Sequence, residues 1–109
     1  MSRYFPEESE CGHHTVFGST AIRTFAGEHV QLSFVTAPPH GVIDWHSHPN
    51  EQTGVVIRGK ATFDIGDETK VLGPGEFFTI PGGVRHRVVV LDEAFQAIDA
   101  FFPVREEYR

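Results

Sequence analysis

Four side chains have the types and spacing of a metal site: His46, His48, Gln52 and His86. The first three stand in Gly41-Val-Ile-Asp-Trp-His46-Ser-His48-Pro-Asn-Glu-Gln52, and Gly59 follows Gln52 after six residues. The fourth closes Gly75-Glu-Phe-Phe-Thr-Ile-Pro81-Gly-Gly83-Val-Arg-His86. Side chains at even separation along an extended chain share a face. An unbroken strand would therefore point His46, His48 and Gln52 the same way. Two imidazoles so placed make a claw for a divalent ion, and a third from a distant strand closes it. The expected cofactor is one divalent metal ion, and these donor types do not choose among Zn, Ni, Fe and Mn. Three imidazoles and an amide carry no formal charge, so a bound ion keeps its attraction for anions, which a carboxylate at position 52 would partly neutralise. Glu51 is the rival donor, but it has the wrong parity for the face of His46 and His48. His13, His14, His29 and His40 read as surface residues. Trp45, opposite in parity to His46, is expected on the outer face.

A second chemical feature lies near the C-terminus, in Phe95-Gln-Ala97-Ile-Asp99-Ala-Phe101-Phe102-Pro103-Val-Arg105-Glu-Glu-Tyr108. Strand alternation puts Ala97, Asp99 and Phe101 on one face and Ile98, Ala100 and Phe102 on the other. A carboxylate in so apolar a strand is costly without a partner. Two readings follow from the residues alone. Asp99 pairs with Arg105, Arg85 or Arg87, or it faces the interior as an acid or base near the metal, with Arg105 free to bind a substrate carboxylate.

The elements that must position these groups are strands. Apolar and β-branched runs fall near 20–25, 29–37, 42–48, 53–57, 61–65, 70–72, 77–80, 85–91 and 94–102. Gly27, Pro38-Pro39, Pro49-Asn50, Gly59-Lys60, Gly66-Asp67, Gly73-Pro74 and Pro81-Gly82-Gly83 punctuate them. Gly66-Asp67 has the chemistry of a hairpin turn. No segment carries a 3.6-residue stripe, so the pattern predicts an all-β sandwich or barrel. With 109 residues there is room for one domain. Residues 1–19 read as an N-terminal arm and 20–109 as the domain. A net charge of −6 argues against nucleic acid as a partner. No run of about 18 apolar residues predicts a membrane span. The first residues lack the apolar stretch of a signal peptide, which makes the cytoplasm the default expectation. Cys11 is alone, so no intrachain disulfide is expected. Ten Phe supply much apolar area. The face of Ile98 and Phe102 needs cover, for which a homodimer is the expected solution.

These motifs resemble those of the cupins. Their first motif runs G-x5-H-x-H-x3,4-E-x6-G and their second G-x5-P-x-G-x2-H-x3-N. The chain matches the second from Gly75 through Pro81 and Gly83 to His86, and the first from His46 to Gly59, with Gly41 one residue closer. Gln52 replaces the usual Glu, and Val90 the usual Asn. The tail Asp99-x-Phe101-x-Pro103-x-Arg105-x-Glu107-Tyr108 is similar to that of small single-domain cupins of the KdgF type, the pectin-degradation proteins. His-Ser-His-Pro-Asn-Glu-Gln is similar to their HSHPHEQ, with Asn50 in place of a His. The resemblance implies a single-domain cupin jelly-roll β-barrel with the metal on His46, His48, Gln52 and His86. It implies Asp99 as the catalytic acid/base, Phe101 packed on a sugar and Arg105 on the carboxylate of a small substrate. The implied reaction opens the ring of 4,5-unsaturated uronates. The competing expectations are a metal-dependent dioxygenase, a polyketide cyclase-like enzyme, and a non-catalytic cupin that binds metal or a small molecule.

Overall fold

A computed structural model describes residues 2–109. Its strands are β1 (Gly12–Val16), β2 (Thr20–Ala26), β3 (Gln31–Ala37), β4 (Val42–His46), β5 (Glu51–Arg58), β6 (Ala61–Ile65), β7 (Glu68–Leu72), β8 (Phe77–Ile80), β9 (His86–Val90) and β10 (Phe95–Phe102), with 3-10 turns at Glu8–Glu10 and Glu106–Tyr108. The two-residue alternation that predicts strands is clearest in β10. There Phe95, Ala97, Asp99 and Phe101 are buried, while the residues between them are not.

The strands form two antiparallel sheets, one ordered β1-β2-β3-β10-β5-β8 and the other β4-β9-β6-β7. This is the expected jelly roll. The expected barrel is not closed, because hydrogen bonding does not pass from one sheet to the other, and two facing sheets enclose the interior. Ala37, Val56, Ala61, Phe63, Leu72, Val88, Val90, Phe95 and Ala97 form the core, where the Phe63 ring lies 4.7 Å from that of Phe78. Along its inward face β10 thus runs from the apolar core, at Phe95 and Ala97, to polar ground at Asp99.

The hairpin expected at Gly66-Asp67 joins β6 to β7. Ile65 pairs with Glu68, and Gly66 has φ 59°, a conformation that suits glycine. β1 lies inside the segment read as an arm and pairs along its whole length with β2, so it is the edge of the six-stranded sheet. Met1, part of that arm, lies outside the described residues. No helix among the described residues is long and apolar enough to cross a membrane.

Candidate functional site

The expectation that His46, His48 and Gln52 share one face of one strand is overturned. β4 ends at His46 after a register shift between Ile43 and His46. His48 sits in the connection to β5, next to Pro49, which lacks the N–H a strand ladder needs. Gln52 belongs to β5, in the opposite sheet. The donors converge by tertiary folding instead. His46 and His86 are direct partners across β4 and β9, with ring centroids 4.2 Å apart, and His48 joins them at 5.0 Å from His86. One nitrogen of each imidazole lies within 4.8 Å of the others.

The protons on these rings are set by the backbone. His46 Nδ1 lies 2.7 Å from the Asp44 carbonyl, His48 Nδ1 3.0 Å from that of Asn50, and His86 Nδ1 2.9 Å from that of Val84. A carbonyl only accepts, so each Nδ1 carries the proton and each neutral ring turns its Nε2 lone pair inward. Burial keeps the rings neutral, aided by the positive charge of Arg105. It lowers the pKa of His46 and His48, and that of His86 to about 4. His86 Nε2 is buried with no hydrogen-bond partner.

Gln52 faces this cluster. Its Oε1 lies 3.0 Å from His48 Nε2, and its Nε2 donates to Asp99 Oδ2 at 3.2 Å. The carboxylate of Asp99 thereby fixes which end of the amide faces the histidines. With His48 neutral, two lone pairs meet at 3.0 Å, an arrangement that a cation relieves. Two donors each about 2.1 Å from one ion are also roughly 3 Å apart when they subtend a right angle. The residues present fit a divalent metal.

Asp99 is 8% exposed. It pairs with none of the three arginines offered as partners. Arg87 instead binds Asp64 at 3.0 Å, and Arg85 and Arg87 flank Trp45 on the outer face, each guanidinium 5.1 Å from the ring. Asp99 Oδ1 has no hydrogen-bond partner. Burial raises its pKa to about 7, against the smaller opposing effect of the Gln52 hydrogen bond.

A cavity of about 100 Å³ brings His46, Gln52, His86, Asp99, Phe101 and Arg105 together. Phe101 packs edge-on against His48 at 5.7 Å. The Arg105 guanidinium lies over two rings, 5.4 Å from Phe101 and 4.7 Å from Tyr108, with Glu107 at 3.4 Å. His13, His14, His29 and His40 stand outside the histidine cluster. Sequence reasoning missed Phe17, whose ring lies 5.0 Å from that of His46, and Gln31 and Thr24 of the cavity wall, and it gave Tyr108, the end of the tail motif, no role. The signal that could have found part of that wall is the alternation of β3, which sets polar Gln31 and Ser33 on the same buried face as Val35 and Ala37.

The Cupin domain family matches residues 33–101. No curated protein matches the sequence. Among solved structures, the chain is similar to an RmlC-like cupin from Shewanella frigidimarina, at 21% identity and TM-score 0.86 over 99% of this chain and 97% of that one. It is similar to KdgF from Halomonas sp., at 24% identity and TM-score 0.84 over 97% and 98%. It is also similar to oxalate decarboxylase of Bacillus subtilis, described with Mn(II) centres, at 19% identity and TM-score 0.81 over 92% of this chain and 30% of that one. With two-sheet topology, a convergent histidine cluster and a family match over most of its length, this chain belongs to the cupins.

Proposed function

We propose that this cupin is a metal-dependent enzyme that opens the ring of a small carboxylated sugar, a 4,5-unsaturated uronate. The observation that carries the reading is one cavity shared by a buried carboxyl (Asp99), a guanidinium (Arg105) and two members of the histidine cluster, His46 and His86. Likeness to the KdgF fold supports it. His46, His48, Gln52 and His86 would hold the metal, which when bound supplies positive charge that attracts and orients an anionic or oxygen-bearing substrate.

The protein's own groups then account for the proton movements. Arg105 binds the substrate carboxylate with the paired donors of its guanidinium. Phe101 presents a ring face to the sugar. Protonated Asp99 gives its proton to C4, the alkene carbon remote from the ring oxygen, and water adds to C5, which bears that oxygen. The proton lost by the water returns to Asp99. The resulting hemiketal then breaks its bond to the ring oxygen, which takes the hydroxyl proton, and a linear ketone remains. Burial of Asp99 favours the protonated form needed for the first step.

The test is loss of the conjugated-alkene absorbance when the metal-loaded protein meets an unsaturated uronate. Arg105→Lys is expected to raise KM on the order of tenfold, because an ammonium lacks the paired donors. No loss of absorbance, with metal bound, overturns the reading. Oxygen consumption in its place would return the dioxygenase alternative.

A further inference from the structure

We propose that Gln31 is the positioning residue for Arg105, its side-chain amide gripping the backbone of the C-terminal segment from both hydrogen-bonding sides. The inference rests on Arg105 as the substrate-carboxylate group. Gln31 opens β3 and points inward, on the face it shares with Ser33, Val35 and Ala37. It is 1% exposed. A buried amide costs about 1–3 kcal/mol unless its polar atoms are satisfied, and both ends of this one are used. Oε1 accepts from the Arg105 N–H at 2.9 Å. Nε2 donates to the Arg105 carbonyl at 3.3 Å and to the Tyr108 carbonyl at 3.1 Å.

This grip matters because no strand ladder holds the segment after β10. Its own backbone bonds are those of a short 3-10 turn, Tyr108 N–H to the Arg105 carbonyl and Arg109 N–H to that of Glu106. Asn50 Nδ2 fastens it upstream, donating to the Pro103 carbonyl at 2.6 Å, and the Thr24 hydroxyl donates to the Tyr108 carbonyl downstream. Gln31 is the side chain that holds Arg105's own backbone. By holding Tyr108 as well, it also sets one of the two rings over which the guanidinium lies. A Leu at 31 would fill similar space but leave the Arg105 N–H and both carbonyls without these bonds. The guanidinium would then lose a fixed origin, and its paired donors would no longer meet a carboxylate in register.

The experiment compares wild type, Gln31→Leu, Arg105→Ala and the double variant, all metal-loaded, with an unsaturated uronate. Gln31→Leu is expected to raise KM on the order of tenfold, about the worth of one charge-assisted bond, with kcat changed far less and full metal content. It should add nothing to KM in the Arg105→Ala background. Hydrogen exchange supplies a readout independent of turnover: residues 103–109 should exchange faster in Gln31→Leu. Gln31→Glu, which keeps an acceptor for the Arg105 N–H but loses both donors, gives the same readouts should the Leu variant not fold. Additive KM effects, or wild-type exchange in that segment, overturn the proposal while leaving Arg105 in its role. If Arg105→Ala leaves KM unchanged, the reading of Arg105 fails first and this proposal falls with it.

Discussion

A buried carboxyl and three imidazoles, two buried and one half-buried, make opposite demands on pH. In the metal-free protein, burial lowers the imidazole pKa values from 6.5, that of His86 to about 4. The unfolded chain therefore takes up their protons first as pH falls, so the histidines erode stability below 6.5, His86 down to about 4. Asp99 runs the other way. Its pKa rises from 3.8 unfolded to about 7 folded, so between those values the folded state holds the extra proton and stability falls as pH rises. Asp99→Asn removes only the second effect. Chemical denaturation of the metal-free variant should match wild type near pH 4 and exceed it increasingly toward pH 7, by an amount on the order of 4 kcal/mol. The same variant should keep its metal and lose turnover, since an amide cannot return the proton; retained turnover removes Asp99 from its catalytic role. The histidines make a plainer prediction. His46→Ala with His48→Ala deletes two inward lone pairs, and metal content measured after dialysis should fall to background. A full equivalent of bound metal in that double variant would place the site elsewhere.

Gly54 shows how the strands make room for the chemistry. In β5 it faces Asp99 of β10 across one ladder and Phe78 of β8 across the other. A Cβ at Gly54 would run into the Phe78 ring, the Asp99 carboxylate and the Ile98 carbonyl. Gly54→Ala should destabilise the fold by about 1–3 kcal/mol and lower turnover as Asp99 shifts, which thermal melting and activity assays would measure together; an unchanged melt and rate would show the strands have slack there. Two-residue alternation put Asp99 on one face of β10 with Ala97 and Phe101, an apolar run marked β3, and the Gly66-Asp67 hairpin followed from turn chemistry. The residues alone leave open whether Asp99 pairs with an arginine or faces the interior. The path between His46 and Gln52 was not legible. Parity arguments assume an unbroken strand, and here a bulge and Pro49 end one strand and hand the chain to the other sheet. Even separation still gave convergence, but through the facing of two sheets rather than one face of one strand. β1 escaped notice because its residues are half-buried at best, so Gly12-His-His-Thr-Val16 carries little apolar signal. Gln31 and Thr24 escaped because a backbone-gripping side chain has no motif. Its partners lie more than seventy residues away.

At the scale of the molecule, the six-stranded sheet has one face on the cavity and core and another that is apolar without cover. Phe77 is 79% exposed on β8, Leu32 51% on β3 and Phe102 50% on β10. They share the outward parity with Ile57 of β5, Phe25 of β2 and half-buried Ile98. A shallow groove between β5, β8 and β10 is lined by Val55, Phe77, Ile98 and Ala100 together with Thr53 and Thr79. Exposed apolar side chains thus recur on most strands of one sheet face, and exposed apolar surface of that kind usually marks an interface. We propose that a second copy of the chain covers it. A twofold axis would place the same face on itself, as isologous dimers require. Phe77 is the most exposed of these side chains and makes no inward contribution to the core, so Phe77→Glu tests the interface without emptying the interior. Sedimentation at micromolar concentration should show a dimer for wild type and a monomer for Phe77→Glu, with metal content and the β-rich circular dichroism unchanged. A wild-type monomer at that concentration would assign the face to some other cover, and a variant that remains dimeric would move the interface to the four-stranded sheet, where Trp45 lies between Arg85 and Arg87.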